Sequence, residues 1–297
     1  MKIICLLGGT GFVGSAIVRQ LSDAGYLVKV LTRNCSKGKH LLALKNVQII
    51  ECNALNDTSI KQCIKGASAV INLVGILHET KQHSFDAIHA DLPQRLVKIC
   101  KGLGIPRFIH MSALQASETA PSQYLKSKAK GEKFILAYAQ NLNITIFKPS
   151  IIFGQYDNFI NLFAKLIKVL PVILLAKPNA KFQPIFVEDV AHAFVKAIEE
   201  KRTYGAIYEL AGPKIYSLRE LLSLVANTLK KRRLVLGLND TLSYIQATMM
   251  ELLPIKLMTR DNLRSMQVDS VSQQAFPDFL DFEPSKLETI LPTYIKG

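Results

Sequence analysis

The chain has 297 residues, 49% of them hydrophobic and 20% charged, which is a folded composition and not a disordered one. It carries 37 Lys and Arg against 23 Asp and Glu, a formal charge of +14, and such an excess suits nucleic acid, an anionic membrane surface or a phosphorylated small molecule. Trp is absent and the cations are spread thin apart from Lys230-Lys231-Arg232-Arg233, so no stacking platform or basic arm advertises a nucleic-acid partner.

Met1–Cys5 run straight into a strand-like segment, so no signal peptide is expected. No apolar run approaches the roughly 20 residues of a membrane span. The five cysteines (5, 35, 52, 63 and 100) are odd in number and form no Cys-x-x-Cys pair. This favours a reduced, cytoplasmic setting without a disulfide framework, and no metal site is expected.

Strand-like and helix-like segments then alternate. Residues 2–7 read as a buried strand, and residues 12–24 have helical periodicity and stop at Gly25. Strands are expected at 27–31, 47–50 and 69–74. A helix at 84–103, a strand at 108–111, a helix at 122–141 and a strand at 144–147 complete the first half. Alternating units with continuous apolar strands predict an α/β fold: a doubly wound parallel sheet, or Rossmann fold, binding ligands at the strands' C-terminal ends. Residues 1–150 form the expected dinucleotide-binding core. Residues 151–297 are expected to add the remaining strands and a small, mostly helical C-terminal lobe, not an independent domain. Helices are expected at 158–169, 188–200, 217–229 and 241–253, the last ended by Pro254. A strand-like run spans 182–187, a short strand 207–210, and strands become scarce beyond 235. Met249 and Met250 read as core. The run Lys230–Arg233 reads as a solvated helix end, with docking on anionic lipid or a partner as the alternative.

Gly8-Gly9-Thr10-Gly11-Phe12-Val13-Gly14 lies between the first strand and the first helix. Glycine takes the positive φ of a tight turn, lets a pyrophosphate approach backbone N–H groups at a helix N-terminus, and packs helix close to strand. The second strand ends at Thr32-Arg33-Asn34, and residues 27–40 hold Arg33, Lys37 and Lys39 but no acid. An acid there would hold a ribose 2′-OH, whereas a guanidinium pairs with a 2′-phosphate, so NADP(H) is favoured over NAD(H). Leu73-Val74-Gly75 end the fourth strand, where backbone can approach the cofactor.

Tyr124 and Lys128 are i and i+4 on one helix face. A nearby ammonium lowers a phenol's pKa and makes it a usable acid or base, and it could also hold the nicotinamide ribose. Ser112, at the end of the fifth strand, could hold a substrate oxygen.

In this order the motifs resemble the extended and atypical branches of the short-chain dehydrogenase/reductase superfamily, many of them described as NAD-dependent epimerase/dehydratase-like. Segments 108–114, 124–132, 148–154, 182–191, 208–213, Leu253-Pro254 and 291–294 are similar to one subgroup, that of the Rossmann-type accessory subunit of respiratory complex I. The resemblance implies Tyr124 as acid/base, Lys128 as its partner and ribose ligand, and Ser112 as the substrate-orienting hydroxyl. Together with the turn residues Gly8, Thr10, Gly11, Phe12, Val13 and Gly14, it implies a cofactor set of Arg33, Asn53, Ala54, Leu73, Val74, Gly75, Lys128, Pro149 and Ile151. Two departures stand out. Ser112 and Tyr124 are closer in sequence than in the sugar-nucleotide epimerases, which reduces the substrate loop, and Cys52-Asn53 replace the usual acidic contact to adenine. Two functions follow: an oxidoreductase or epimerase acting on a small carbonyl or hydroxyl substrate, or a nucleotide-binding accessory protein without turnover. The second brings a respiratory-complex contact, or a peripheral seat at the inner face of a membrane.

Overall fold

The computed structural model describes residues 1–252 and 257–296. In chain order the first half is β1 (Ile3–Leu7), α1 (Phe12–Asp23), β2 (Leu27–Thr32), β3 (Val47–Glu51), α2 (Asp57–Ile64), β4 (Ala69–Asn72), α3 (Leu92–Gly102), β5 (Arg107–Met111), α4 (Gln123–Leu136) and β6 (Asn143–Pro149). The second half adds β7 (Ile152–Phe153), α5 (Ile160–Val169), β8 (Val172–Leu175), β9 (Lys181–Phe182), β10 (Ile185–Phe186), α6 (Val187–Ala197) and β11 (Ala206–Leu210). It closes with β12 (Tyr216–Ser217), α7 (Leu218–Thr228), β13 (Leu234–Gly237), α8 (Asp240–Glu251), α9 (Arg260–Ser265) and α10 (Leu287–Tyr294).

Seven strands form one parallel sheet in the order β11-β6-β5-β4-β1-β2-β3. Successive side chains of a strand face opposite ways, so Leu6, Val30 and Ile71 pack under α1 and α6 with Ile17, Leu21, Val190 and Phe194. Leu7, Leu31 and Val70 face the other way, under α2 and α3 with Ile60, Ile64, Leu96 and Val97. Both faces are covered, which is why these strands read as unbroken apolar runs. The direction of winding reverses between β1 and β4, the position where such sheets open a ligand crevice. A third apolar cluster (Phe153, Phe163, Ile167, Leu221, Val225 and Leu291) holds the C-terminal lobe together.

Several expectations change in the second half. The run 182–187 is not one strand: β9 pairs with β12, β10 with β7, and Pro184 between them has no N–H to continue a ladder. The helix expected to Asn141 ends at Leu136. An unexpected strand, β8, pairs in parallel with β13, and beyond Gly237 the described residues add no further named strand, as expected. Helix α8 buries only its small residues, Ser243 and Ala247, and turns its large ones outward. Met249 is therefore 66% exposed and Met250 half-buried, neither of them core. The expected stop of this helix at Pro254 lies outside the described residues.

Candidate dinucleotide and acid/base site

The glycine turn is built by contact. Gly8 sits at φ +83°, and a Cβ there would lie 3.0 Å from the Leu73 carbonyl carbon, so the turn lies against the end of β4. A Cβ on Gly14 would lie 2.3 Å from the Gly8 carbonyl oxygen, which only glycine tolerates. Gly11 differs: the nearest atom to its Cβ position is 3.4 Å away, ordinary contact. The protein itself therefore does not require glycine at 11, and the space belongs to whatever approaches the turn. Gly11 is also the N-cap of α1, without a side-chain cap and without an acid in the first turn. Its N-terminal amides and dipole are thus left for an anion, which fits a pyrophosphate. Thr10, Phe12 and Val13 are half-buried along this edge.

Arg33 follows β2 on the surface, and its guanidinium lies 2.7 Å from His83 Nε2. Lys37 and Lys39 are exposed on the short 3₁₀ turn Cys35–Leu41 that follows. Asn53 is exposed after β3, and its side-chain oxygen accepts from the Leu55 N–H at 2.9 Å, which leaves its NH₂ for a partner. Ala54 is half-buried beside it, Leu73 and Pro149 are buried, and Val74 and Ile151 are half-buried.

Beyond the turn, α4 brings Tyr124 and Lys128 to the ends of β4 and β5. Lys128 is 3% exposed; its ammonium donates to the Met111 carbonyl at 3.2 Å and would lie 3.2 Å from a Cβ on Gly75. Burial lowers its pKa to about 8, against the pull of Glu132. The half-buried phenol of Tyr124 is raised to about 12 by burial. The expected lowering by Lys128 does not appear: burial alone sets the shift.

The wall against Tyr124 was only partly legible in the sequence. His89 packs edge-on to its ring at 5.4 Å and Phe85 at 6.0 Å. His89 is fully buried on a π-helical turn, Ala87–Asp91, which Gly131 lets approach closely: a Cβ there would meet the His89 carbonyl oxygen at 1.9 Å. The Ser127 hydroxyl donates to the Tyr124 carbonyl at 2.8 Å, so its contact with His89 Nδ1 at 2.9 Å is a bond that the ring donates. Nε2 then accepts from the Ile76 N–H at 3.0 Å. Both nitrogens are used by the neutral ring, and burial, with Lys128 nearby, lowers the pKa to about 2. His110 is also buried; its Nδ1 lies 3.1 Å from the Asn72 amide nitrogen.

Ser112 is buried at the end of β5, and its hydroxyl donates to Glu132 on α4. Glu132 is 8% exposed and takes Lys148 on its other oxygen at 3.2 Å. Burial pushes its carboxyl up, opposed by Lys148 and by the Ser112 hydroxyl. Ser112 is thus in the network that holds β5, β6 and α4 together, with its one proton already given. Its sequence neighbour Ala113 packs with Leu125, Val268 and the Tyr124 ring. Finally, α9 closes the N-terminus of α4. The Asp261 carboxylate accepts the N–H groups of Gln123 (2.8 Å) and Tyr124 (3.0 Å), as a carboxylate should at a helix N-terminus. Asp261 lies 137 residues from Tyr124, so no local signal could have found it. Glu132 stood i+4 from Lys128 and could have been read as its partner.

The model of the NAD dependent epimerase/dehydratase family matches residues 4–211. The chain belongs to this family. Among curated relatives, it is 31% identical over 255 residues to "NADH dehydrogenase [ubiquinone] 1 alpha subcomplex subunit 9, mitochondrial" of Dictyostelium discoideum, covering 84% of this chain and 70% of that one. The mouse protein of the same name is 31% identical over 230 residues, 75% of this chain and 60% of its own length. Solved structures share the fold. A dTDP-glucose 4,6-dehydratase from Bacillus anthracis, solved in complex with NAD, superposes with a TM-score of 0.75 at 17% identity over 99% of this chain and 96% of that one. Among the described residues no helix is long and apolar enough to cross a membrane.

Proposed function

We propose that the protein holds a nicotinamide dinucleotide, NADP(H) in preference to NAD(H), as a nucleotide-binding accessory protein of a respiratory NADH dehydrogenase assembly. Gly8–Gly14 would take the pyrophosphate, Arg33 the 2′-phosphate, Asn53 and Ala54 the adenine, and Lys128 the nicotinamide ribose. Leu73–Gly75, Pro149 and Ile151 would line the remaining cleft. The bound group supplies a hydride-carrying ring. In this reading the protein's own residues bind and shield it without needing to move a proton. The observation that carries the reading is the bond from Ser112 to Glu132. A hydroxyl whose proton is held by a buried carboxylate cannot also donate to a substrate carbonyl, and the ring of Tyr124 packs against Phe85 and His89. The similarity to NADH dehydrogenase subunits supports the same role, and peripheral attachment on the aqueous side of that assembly is the location that goes with it. The test is to release and identify the nucleotide carried by native protein and to follow its migration on native gels with respiratory complexes. NADP(H) at near-stoichiometric amounts and co-migration are expected; protein free of nucleotide that runs alone contradicts the proposal.

One observation favours a second reading, an oxidoreductase or epimerase using Tyr124 and Lys128. An ammonium that is 3% exposed is costly to bury, and such perturbed cations concentrate at working sites. Turnover abolished by Tyr124→Phe would establish it.

A further inference from the structure

Large apolar side chains stand outward over two adjoining elements of the C-terminal lobe. In the β8–β13 pair Leu234 lies opposite Val172 and Leu236 opposite Leu174. Alternation along β8 buries Ile173 and Leu175 and leaves Val172 and Leu174 outside, so the four residues make one aliphatic face, each 40–57% exposed. Helix α8 lies alongside: the Gln246 amide donates to the Leu174 carbonyl at 3.1 Å, and Asp240 pairs with Lys177 at 2.8 Å. Leu242, Ile245 and Met249 follow at helical spacing on its exposed side. Aliphatic surface gathered in this way rarely stays bare in a soluble monomer.

Cations border this face. Arg233 Nε donates to the Ile167 carbonyl at 2.7 Å, and the Leu234 N–H to the Pro171 carbonyl at 3.2 Å. These bonds tie the segment of exposed Lys230, Lys231 and Arg232 to the end of α5, which carries exposed Lys168. None of the ion pairs among the described residues involves these four. The acids at the two ends of α8 are already neutralised, Asp240 by Lys177 and Glu251 by Arg260.

We infer that this face rests on an anionic lipid bilayer, with Val172, Leu174, Leu234, Leu236 and the outer side of α8 at headgroup depth, and with Lys168, Lys230, Lys231 and Arg232 against lipid phosphates. Charge complementarity selects the occupant. Unpaired cations of one sign beside aliphatic side chains match an anionic interface, whereas protein hot spots are built around Trp, Tyr and Arg in closed pockets. The inference stands apart from the dinucleotide site and is read by a different experiment.

That experiment is flotation of the full chain with vesicles of phosphatidylcholine and of an equal mixture of phosphatidylcholine and phosphatidylglycerol. Flotation with the mixture alone, reversed by high salt, is expected. The variant Lys230→Gln/Lys231→Gln/Arg232→Gln should bind the mixture about 100-fold more weakly. Leu174→Gln/Leu236→Gln should weaken it roughly tenfold or more. All five replaced side chains are exposed, so thermal midpoints and dinucleotide binding should be unchanged and serve as the folding control. Failure to float with the mixture overturns the inference and leaves a protein partner to cover the face. Equal flotation on both compositions, or flotation that survives both variants, overturns it as well.

Discussion

The Ser112 hydroxyl donates to the Glu132 carboxylate, about two helical turns beyond Tyr124 on the same helix. This bond makes Ser112 part of a buried network with Lys148, and in the proposed function it has no substrate to orient. Ser112→Ala should therefore leave dinucleotide affinity unchanged and lower stability by about 1–3 kcal/mol, because Glu132 loses one partner. Glu132→Ala should cost about 3 kcal/mol, since Lys148, its side chain 13% exposed, loses its counter-charge. Urea denaturation of both variants measures the difference; a Ser112→Ala protein of normal stability and much weaker affinity would contradict this assignment.

Gly11 and Gly14 separate ligand from fold. Gly14→Ala forces a Cβ into the Gly8 carbonyl and should unfold or strongly destabilise the protein. Gly11→Ala meets only ordinary contact within the protein and should fold with a near-normal thermal midpoint while losing most dinucleotide affinity. Calorimetric titration paired with thermal melts tests this, and the idea fails if Gly11→Ala binds normally.

In the proposed site Arg33 sets the cofactor preference. Losing a charge-assisted bond to a 2′-phosphate costs ~1.5–3 kcal/mol, so Arg33→Ala should bind NADPH roughly 10- to 100-fold more weakly and NADH as before. Equal losses for both cofactors would place Arg33 outside the 2′-phosphate contact.

Acid should act through the buried imidazoles. The unfolded chain protonates histidine near pH 6.5, whereas folding lowers His89 to about 2 and also holds His110 well below its ordinary value. Between those limits the unfolded state binds more protons, so stability falls as the pH drops below about 6.5, by up to ~1.4 kcal/mol per pH unit for each ring. His89→Gln should remove about half of that slope in denaturation curves taken between neutral pH and mild acid. Lys128 acts in the alkaline range: its pKa is lowered from 10.5 to about 8, so stability rises with pH between those values as the unfolded chain binds the extra proton.

The first half of the fold was legible because its signals are local. Gly8–Gly14 directly follows an apolar strand, Gly25 and Gly104 stop helices, and Arg33 sits where a strand ends. The site was legible only where its residues share an element, as Tyr124 and Lys128 do on α4. His89 and Asp261 reach it from a π-helical turn and from the C-terminal lobe, and their roles exist only once the chain is packed. The α8 stripe was visible as a period, but a period does not say which side faces in. There the small residues Ser243 and Ala247 set the contact, and Met249 is left outside.

In the proposed function the protein keeps a bound dinucleotide without consuming it. The direct measurement is to load the protein with one equivalent of NADPH, add a quinone and a range of small carbonyl compounds, and follow the nicotinamide absorbance over hours. Tight binding is expected, with an absorbance that stays constant in wild type and in Tyr124→Phe alike. Steady oxidation of NADPH by wild type that Tyr124→Phe abolishes would contradict it and establish the enzyme reading in its place.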